Sequence, residues 1–150
     1  MWNSKKSTVL SLVCTRIVMA LMVVCAVLLP KLMAYYADHM GNGLEPEEFF
    51  VFMAILYACC LPGGAVLICL DRLLSGIRRG DVFVPRNVFY LRTISWCCFA
   101  GALLLAIAGR YYLLFLGVAI IAAFIGLILR VVKNVIEEAI VIKTENDFTI

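Results

Sequence analysis

Four long apolar runs alternate along the chain with short polar segments. They cover residues 9–37, 49–70, 91–109 and 111–129. About twenty consecutive apolar residues are enough to carry a helix through the hydrocarbon core of a bilayer. The pattern therefore predicts four transmembrane helices, with the third beginning as early as Pro85. Between the first two runs lies the short acidic segment DHMGNGLEPEE. There Gly41-Asn42-Gly43 reads as a turn, and Glu45-Pro46-Glu47-Glu48 as the start of the second helix. Proline suits a first helical turn, and acids favour its positive dipole end. The link between the second and third runs, residues 71–90, is polar and basic, whereas Gly109-Arg110 is nearly the whole link between the third and fourth. Beyond the fourth run the stretch RVVKNVIEEAIVIK keeps a helical period, with Val131, Val132, Val135, Ile136, Ala139 and Ile140 against Lys133, Asn134, Glu137 and Glu138. The fold class expected is an all-α integral membrane protein, a single domain of residues 1–150 whose fourth helix extends past the membrane into a tail at 130–150.

Composition reinforces this reading. The chain has 150 residues, 65% of them hydrophobic and 15% charged, with a mean hydropathy of +1.04. Soluble domains of this length are about half apolar and about a quarter charged, so the polar side chains are too few to cover a water-facing surface. A cleaved signal peptide does not fit the first run, which is too long, is interrupted by Arg16 and lacks a small-residue cleavage site. It is read as a retained helix.

Charge placement orients the chain. Of the 13 Lys and Arg residues, five (Arg72, Arg78, Arg79, Arg86 and Arg92) crowd around the central link. Lys5, Lys6 and Arg16 lie at the start and Arg130, Lys133 and Lys143 follow the fourth run, leaving only Lys31 and Arg110 for the opposite side. The positive-inside rule then puts both termini and the central elbow in the cytoplasm. Direct nucleic-acid binding is not expected, because Asp71 and Asp81 interrupt the basic stretch and no recognition helix is present. A loose attraction of the elbow to anionic headgroups is ordinary for such a segment.

Within the spans, CCLPGGAVL at 59–67 stands out. Pro62 removes a backbone donor and Gly63-Gly64 loosens the helix, so a break near the bilayer midplane is expected. Such breaks border ligand sites in some transporters; the plainer reading is a kink with small residues that admit a neighbouring helix. Arg16 lies inside the first span, where it either snorkels to the headgroups or pairs with Asp71 at a similar depth. His39 is the single histidine, and the seven cysteines all lie in apolar stretches without metal-ligand spacing. They read as buried reduced thiols. No metal, no cofactor and no catalytic residue is expected, since a nucleophile elbow and a phosphate loop are both missing. A calcium role for Asp38 and the nearby glutamates would lack the spacing such sites need.

The central stretch LLSGIRRGDVFVPRNVFYLRTIS and the closing TENDFTI together resemble the bacterial membrane proteins grouped as domain of unknown function 2975 (DUF2975). The recurrent glycine, phenylalanine, asparagine and leucine-arginine pair of that family correspond here to Gly80, Phe83, Asn87 and Leu91-Arg92. The closing Asp-Leu-Thr-Ile has Phe148 in place of leucine. The resemblance spans nearly the whole chain and implies no activity. Genes of that family often neighbour a small helix-turn-helix regulator, so it implies a membrane component of a regulatory pair. In physical terms, Gly80 can cap the second helix and Pro85 can begin the third, making an ordered elbow rather than a loose loop.

These readings give a non-enzymatic sensory, regulatory or accessory protein, with Gly80, Phe83, Asn87, Arg92, Glu145 and Asp147 as partner-binding candidates. The expected tail contacts pair Glu145 or Asp147 with Arg78, Arg79 or Arg86. The alternative is a binder or transporter of a lipophilic molecule, with Pro62, Gly63 and Gly64 as its site. Beyond the lipid bilayer, the expected partners are a helix-turn-helix regulator and further copies of the chain, because Gly101, Ala102, Ala106, Gly109, Gly117, Ala122, Ala123 and Gly126 offer close-packing surfaces.

Overall fold

The computed structural model describes the backbone of residues 4–40 and 46–148, and the side chains of residues 6–35 and 47–146. It consists of α1 (Ser4–Met40), α2 (Pro46–Arg79), α3 (Pro85–Ala108) and α4 (Leu113–Phe148). All four are long and apolar enough to cross a membrane. At about 1.5 Å per residue, α1, α2 and α4 are rods of roughly 50–56 Å, while the 24 residues of α3 span about 36 Å.

Neighbours in sequence are neighbours in space. α1 packs on α2, α2 on α3 and α3 on α4, and among the described residues no other pair of helices packs side by side. α3 therefore has a helix on both flanks. Its buried residues (Asn87, Val88, Leu91, Ile94, Ser95, Ala102 and Ala108) run along most of its length. α1 and α4 form the edges, and their Val, Leu and Ile side chains are broadly exposed, as lipid-facing residues are.

Close approach of α3 and α4 depends on Gly126. A Cβ there would lie 3.2 Å from the Cβ of Cys98 and 3.3 Å from the carbonyl oxygen of Ser95. The buried Ser95 hydroxyl donates to the Gly126 carbonyl at 2.8 Å, so the two backbones are latched where they come nearest. At the end of the bundle away from the elbow, fully buried Phe52 of α2 meets Tyr111, Tyr112 and Phe115 with ring centroids 5.3–5.5 Å apart. This aromatic knot ties the α3–α4 turn back to α2.

One feature differs from the sequence expectation. α2 passes through Pro62 as one helix, without the expected break. Proline deletes one backbone donor, and side chains of both neighbouring helices pack around the position. Met22 of α1 covers Gly63 and Gly64, with its Sδ 3.8 Å from the Cβ position of the first and its Cε 3.5 Å from that of the second. The Pro62 ring faces Gly101 of α3, 3.9 Å from the Cβ position there. These small residues let α1 and α3 come close on both sides. As Gly80 and Pro85 led one to expect, α2 stays helical through Arg79 and α3 begins at Pro85, leaving residues 80–84 as the link within the 71–90 segment. Arg16 does reach Asp71, its Nε donating to Oδ1 at 3.0 Å, which ties the elbow ends of α1 and α2.

Candidate functional site

The elbow is built by its backbone. Gly80 takes φ +95°, a conformation that a Cβ would strain, and closes α2 with two reverse bonds. Its N–H donates to Ile77 O at 3.0 Å, and the Asp81 N–H donates to Gly76 O at 3.2 Å. Pro85 then starts α3 in the position where a missing N–H costs nothing. Asn87 locks the turn from inside. Its Nδ2 donates to the carbonyls of Asp81 at 2.6 Å and Val82 at 2.9 Å, and its own N–H donates to Val84 O at 2.9 Å. The residue is 3% exposed.

Three clefts surround this elbow. Between α3 and α4, Arg92, Ser95, Trp96, Arg130 and Lys133 line one of about 280 Å3. Arg130 lies over the Trp96 ring, 5.4 Å from its centre. Lys133 Nζ sits 2.6 Å from Glu137 Oε2, and Arg92 approaches the same carboxylate at 3.9 Å. Glu137 stands beyond the apolar run of α4, where the hydrogen bond from Lys133, then the Lys133 charge and more weakly that of Arg92, hold its carboxyl below the usual glutamate range. One turn further out, Pro85, Val88, Phe89, Arg92, Glu137, Ile140 and Val141 line a mainly apolar groove of about 290 Å3. The third cleft lies between α2 and α3, lined by Asp71, Arg72, Ser75, Gly76, Arg79, Arg86 and Tyr90.

The sequence-derived partner candidates separate into two kinds. Asn87 is buried inside the elbow, whereas Gly80, Phe83 and Arg92 are exposed on or beside it. Glu145 is exposed near the end of α4. Asp147 lies in the last turn of that helix, its side chain outside the described residues, and the closing Thr149-Ile150 also falls outside them. The predicted stripe on α4 is only partly covered: Ile136, Ala139 and Ile140 are half-buried, while Val131, Val132 and Val135 stay exposed. Lys133, assigned to the polar side, tucks its stem inward and leaves 13% of its side chain exposed. None of the three clefts is lined by Pro62, Gly63 or Gly64.

Sequence reasoning missed Ser95, Trp96 and Tyr90. The signal for Ser95 was a hydroxyl at a helix-facing position opposite a glycine-containing helix. Trp96 and Tyr90 carried no local signal, because their roles come from residues on other helices. Among the described residues, no group of three His, Cys, Asp or Glu is placed to hold a metal ion.

No curated protein and no solved structure matches this chain. A family model does, over residues 5–150, and that match includes the glycine, asparagine and arginine that shape and flank the elbow. The chain belongs to the family described as protein of unknown function (DUF2975).

Proposed function

We propose that this chain is a non-enzymatic, multi-pass protein of the bacterial cytoplasmic membrane that serves as a regulatory or accessory component. Both termini and the elbow face the cytoplasm, where the outer turns of α4 and the start of α3 dock a soluble protein. The observation that carries this reading is the groove between Pro85, Val88, Phe89, Ile140 and Val141. It is flanked by apolar side chains open to the surroundings: Phe83 at 49%, Phe89 at 61% and Val135 at 61% exposure. An apolar surface beyond the lipid, braced by a buried asparagine, is suited to a partner helix. Arg92 at its rim favours a partner whose apolar stripe has an acidic border. The family resemblance makes a helix-turn-helix regulator the class of partner to seek. Orientation rests on the basic residues, of which only Lys31 and Arg110 lie away from the elbow end.

The test places a photoreactive amino acid at Phe83, Phe89 or Val141 in cells, with exposed Val118 in the middle of the spanning part of α4 as the control. A single cytoplasmic protein crosslinked from the first three positions, absent from Val118 and lost on Arg92→Glu, is the expected result. Crosslinks confined to lipid or to a second copy of the chain would refute the docking reading. A fluorescent protein fused after Ile150 checks orientation, since it lights up only if the C-terminus is cytoplasmic.

A further inference from the structure

The α2–α3 cleft is separate from the docking groove, on the other side of α3. Arg72, Ser75, Gly76 and Arg79 recur at three- and four-residue spacing and so form one stripe of α2. Arg86 and Tyr90, four apart, form the facing stripe of α3. Because the elbow folds the two helices back on each other, three guanidinium groups, a hydroxyl and a phenol converge on a space of about 290 Å3. A single carboxylate, Asp71, joins the lining, and its Oδ1 already receives the Arg16 Nε–H at 3.0 Å. Asp81 sits exposed on the elbow and Glu137 is engaged by Lys133 between α3 and α4.

A cleft that gathers three arginines around one carboxylate, itself engaged by Arg16, keeps a net positive charge that an anion would relieve. Guanidinium groups bind phosphate oxygens through paired N–H donors, and hydroxyl and phenol groups add single bonds. Basic pockets between membrane helices are also where phosphate headgroups lodge. We propose that this cleft is a binding site for a phosphate group, held by Arg72, Arg79 and Arg86 with Ser75 and Tyr90 as further donors. The phosphate is carried either by an anionic lipid or by a soluble molecule. The inference does not depend on the docking surface, since the residues lie on a different pair of helices.

The comparison that tests it is Arg79→Gln against Arg78→Gln. The two arginines are adjacent and both exposed, and each replacement removes one positive charge from the same turn, but only Arg79 lines the cleft. The full-length protein, purified in detergent, is titrated with cardiolipin in mixed micelles and read by native mass spectrometry. In parallel it is titrated with inorganic phosphate and with ATP by calorimetry. Loss of one charge-assisted contact should weaken binding by about tenfold or more in Arg79→Gln, against less than about twofold in Arg78→Gln. Arg79→Lys, which keeps the charge but loses the fork, should fall between them. Arg86→Gln on the opposite helix should repeat the Arg79 result, and it stands in if Arg79→Gln fails to fold. Binding of cardiolipin alone identifies the lipid as the source, and binding of phosphate or ATP identifies a soluble ligand; both support the site. Equal losses in Arg78→Gln and Arg79→Gln would mean diffuse attraction and would overturn it, as would failure of all three probes to bind.

Discussion

Replacing Asn87 with alanine should loosen the elbow while leaving the four helices in place. The side chain donates two hydrogen bonds, at 2.6 and 2.9 Å, to the carbonyls of Asp81 and Val82. Each such bond contributes about 0.5–1.5 kcal/mol net. Residues 81–83 are exposed, so water can replace part of what is lost, and the total should sit in the lower half of that sum, near 1.4 kcal/mol. That corresponds to about a tenfold rise in local opening. Hydrogen exchange read by mass spectrometry on the protein in nanodiscs measures it directly. The relevant amides are those of Asp81, bonded to Gly76 O, and Val82, bonded to Gly80 O. The Gly109 amide, bonded to Leu105 O at the other end of α3, serves as the unaffected control. Asn87→Asp should be worse than alanine, because a carboxylate can only accept and would face two carbonyls. Unchanged exchange at residues 81 and 82 in Asn87→Ala would show that the Gly80 cap and Pro85 hold the turn unaided, and the bracing role assigned to Asn87 would be wrong.

Gly126→Ala should lower stability by about 1–3 kcal/mol, seen as a lower melting temperature in detergent, because the new methyl meets a backbone oxygen and a Cβ that have no rotamer to move into. A melting temperature equal to that of the parent would show that α3 and α4 separate freely there. A double-mutant cycle of Arg16→Ala and Asp71→Ala should give a coupling of no more than about 1 kcal/mol, since 59% of the arginine side chain is exposed. The Lys133–Glu137 contact has a defined pH dependence. A carboxyl held below its ordinary range contributes fully above that range and loses its contribution as the pH falls through and below it. Glu137→Gln should therefore flatten the acid limb of exchange in the outer turns of α4, and a limb of unchanged slope would argue that another group titrates there.

The four helices could be read from the length of the apolar runs because lipid leaves few other choices for the backbone. The elbow could be read almost residue by residue, since a cap glycine and an N-terminal proline act locally and each leaves its own mark. The Arg16–Asp71 pair followed from matched depth on adjacent helices. What failed to show were features that depend on a second helix. Pro62 signalled a break, yet α2 runs on through it, and the residues packed around it, Met22 and Gly101, lie about forty residues away on either side. The arginines of the central segment looked like one cluster in sequence. In space Arg72, Arg79 and Arg86 face the α2–α3 cleft while Arg92 faces α4, a division set by which side of α3 each position occupies. The split of the partner candidates into buried and exposed residues was hidden for the same reason. An asparagine in a polar segment gives no sign that its amide will turn inward.

The latch at Ser95 and Gly126 also makes α4 a lever. The helix continues without interruption from Gly126 to Phe148, about 33 Å at the usual rise per residue. A tilt of ten degrees about that contact would carry the far tip roughly 6 Å sideways, more than one full helical turn. Among the described residues α4 packs side by side with α3 alone, and beyond the Phe52 contact at Phe115 near its start, α3 is the helix that resists such a tilt. The Lys133–Glu137–Arg92 contacts lie partway along the arm and act as a stay. Changes in bilayer thickness or lateral pressure, acting on the short side of the pivot, would then reach the opposite end as a displacement large enough for another protein to register.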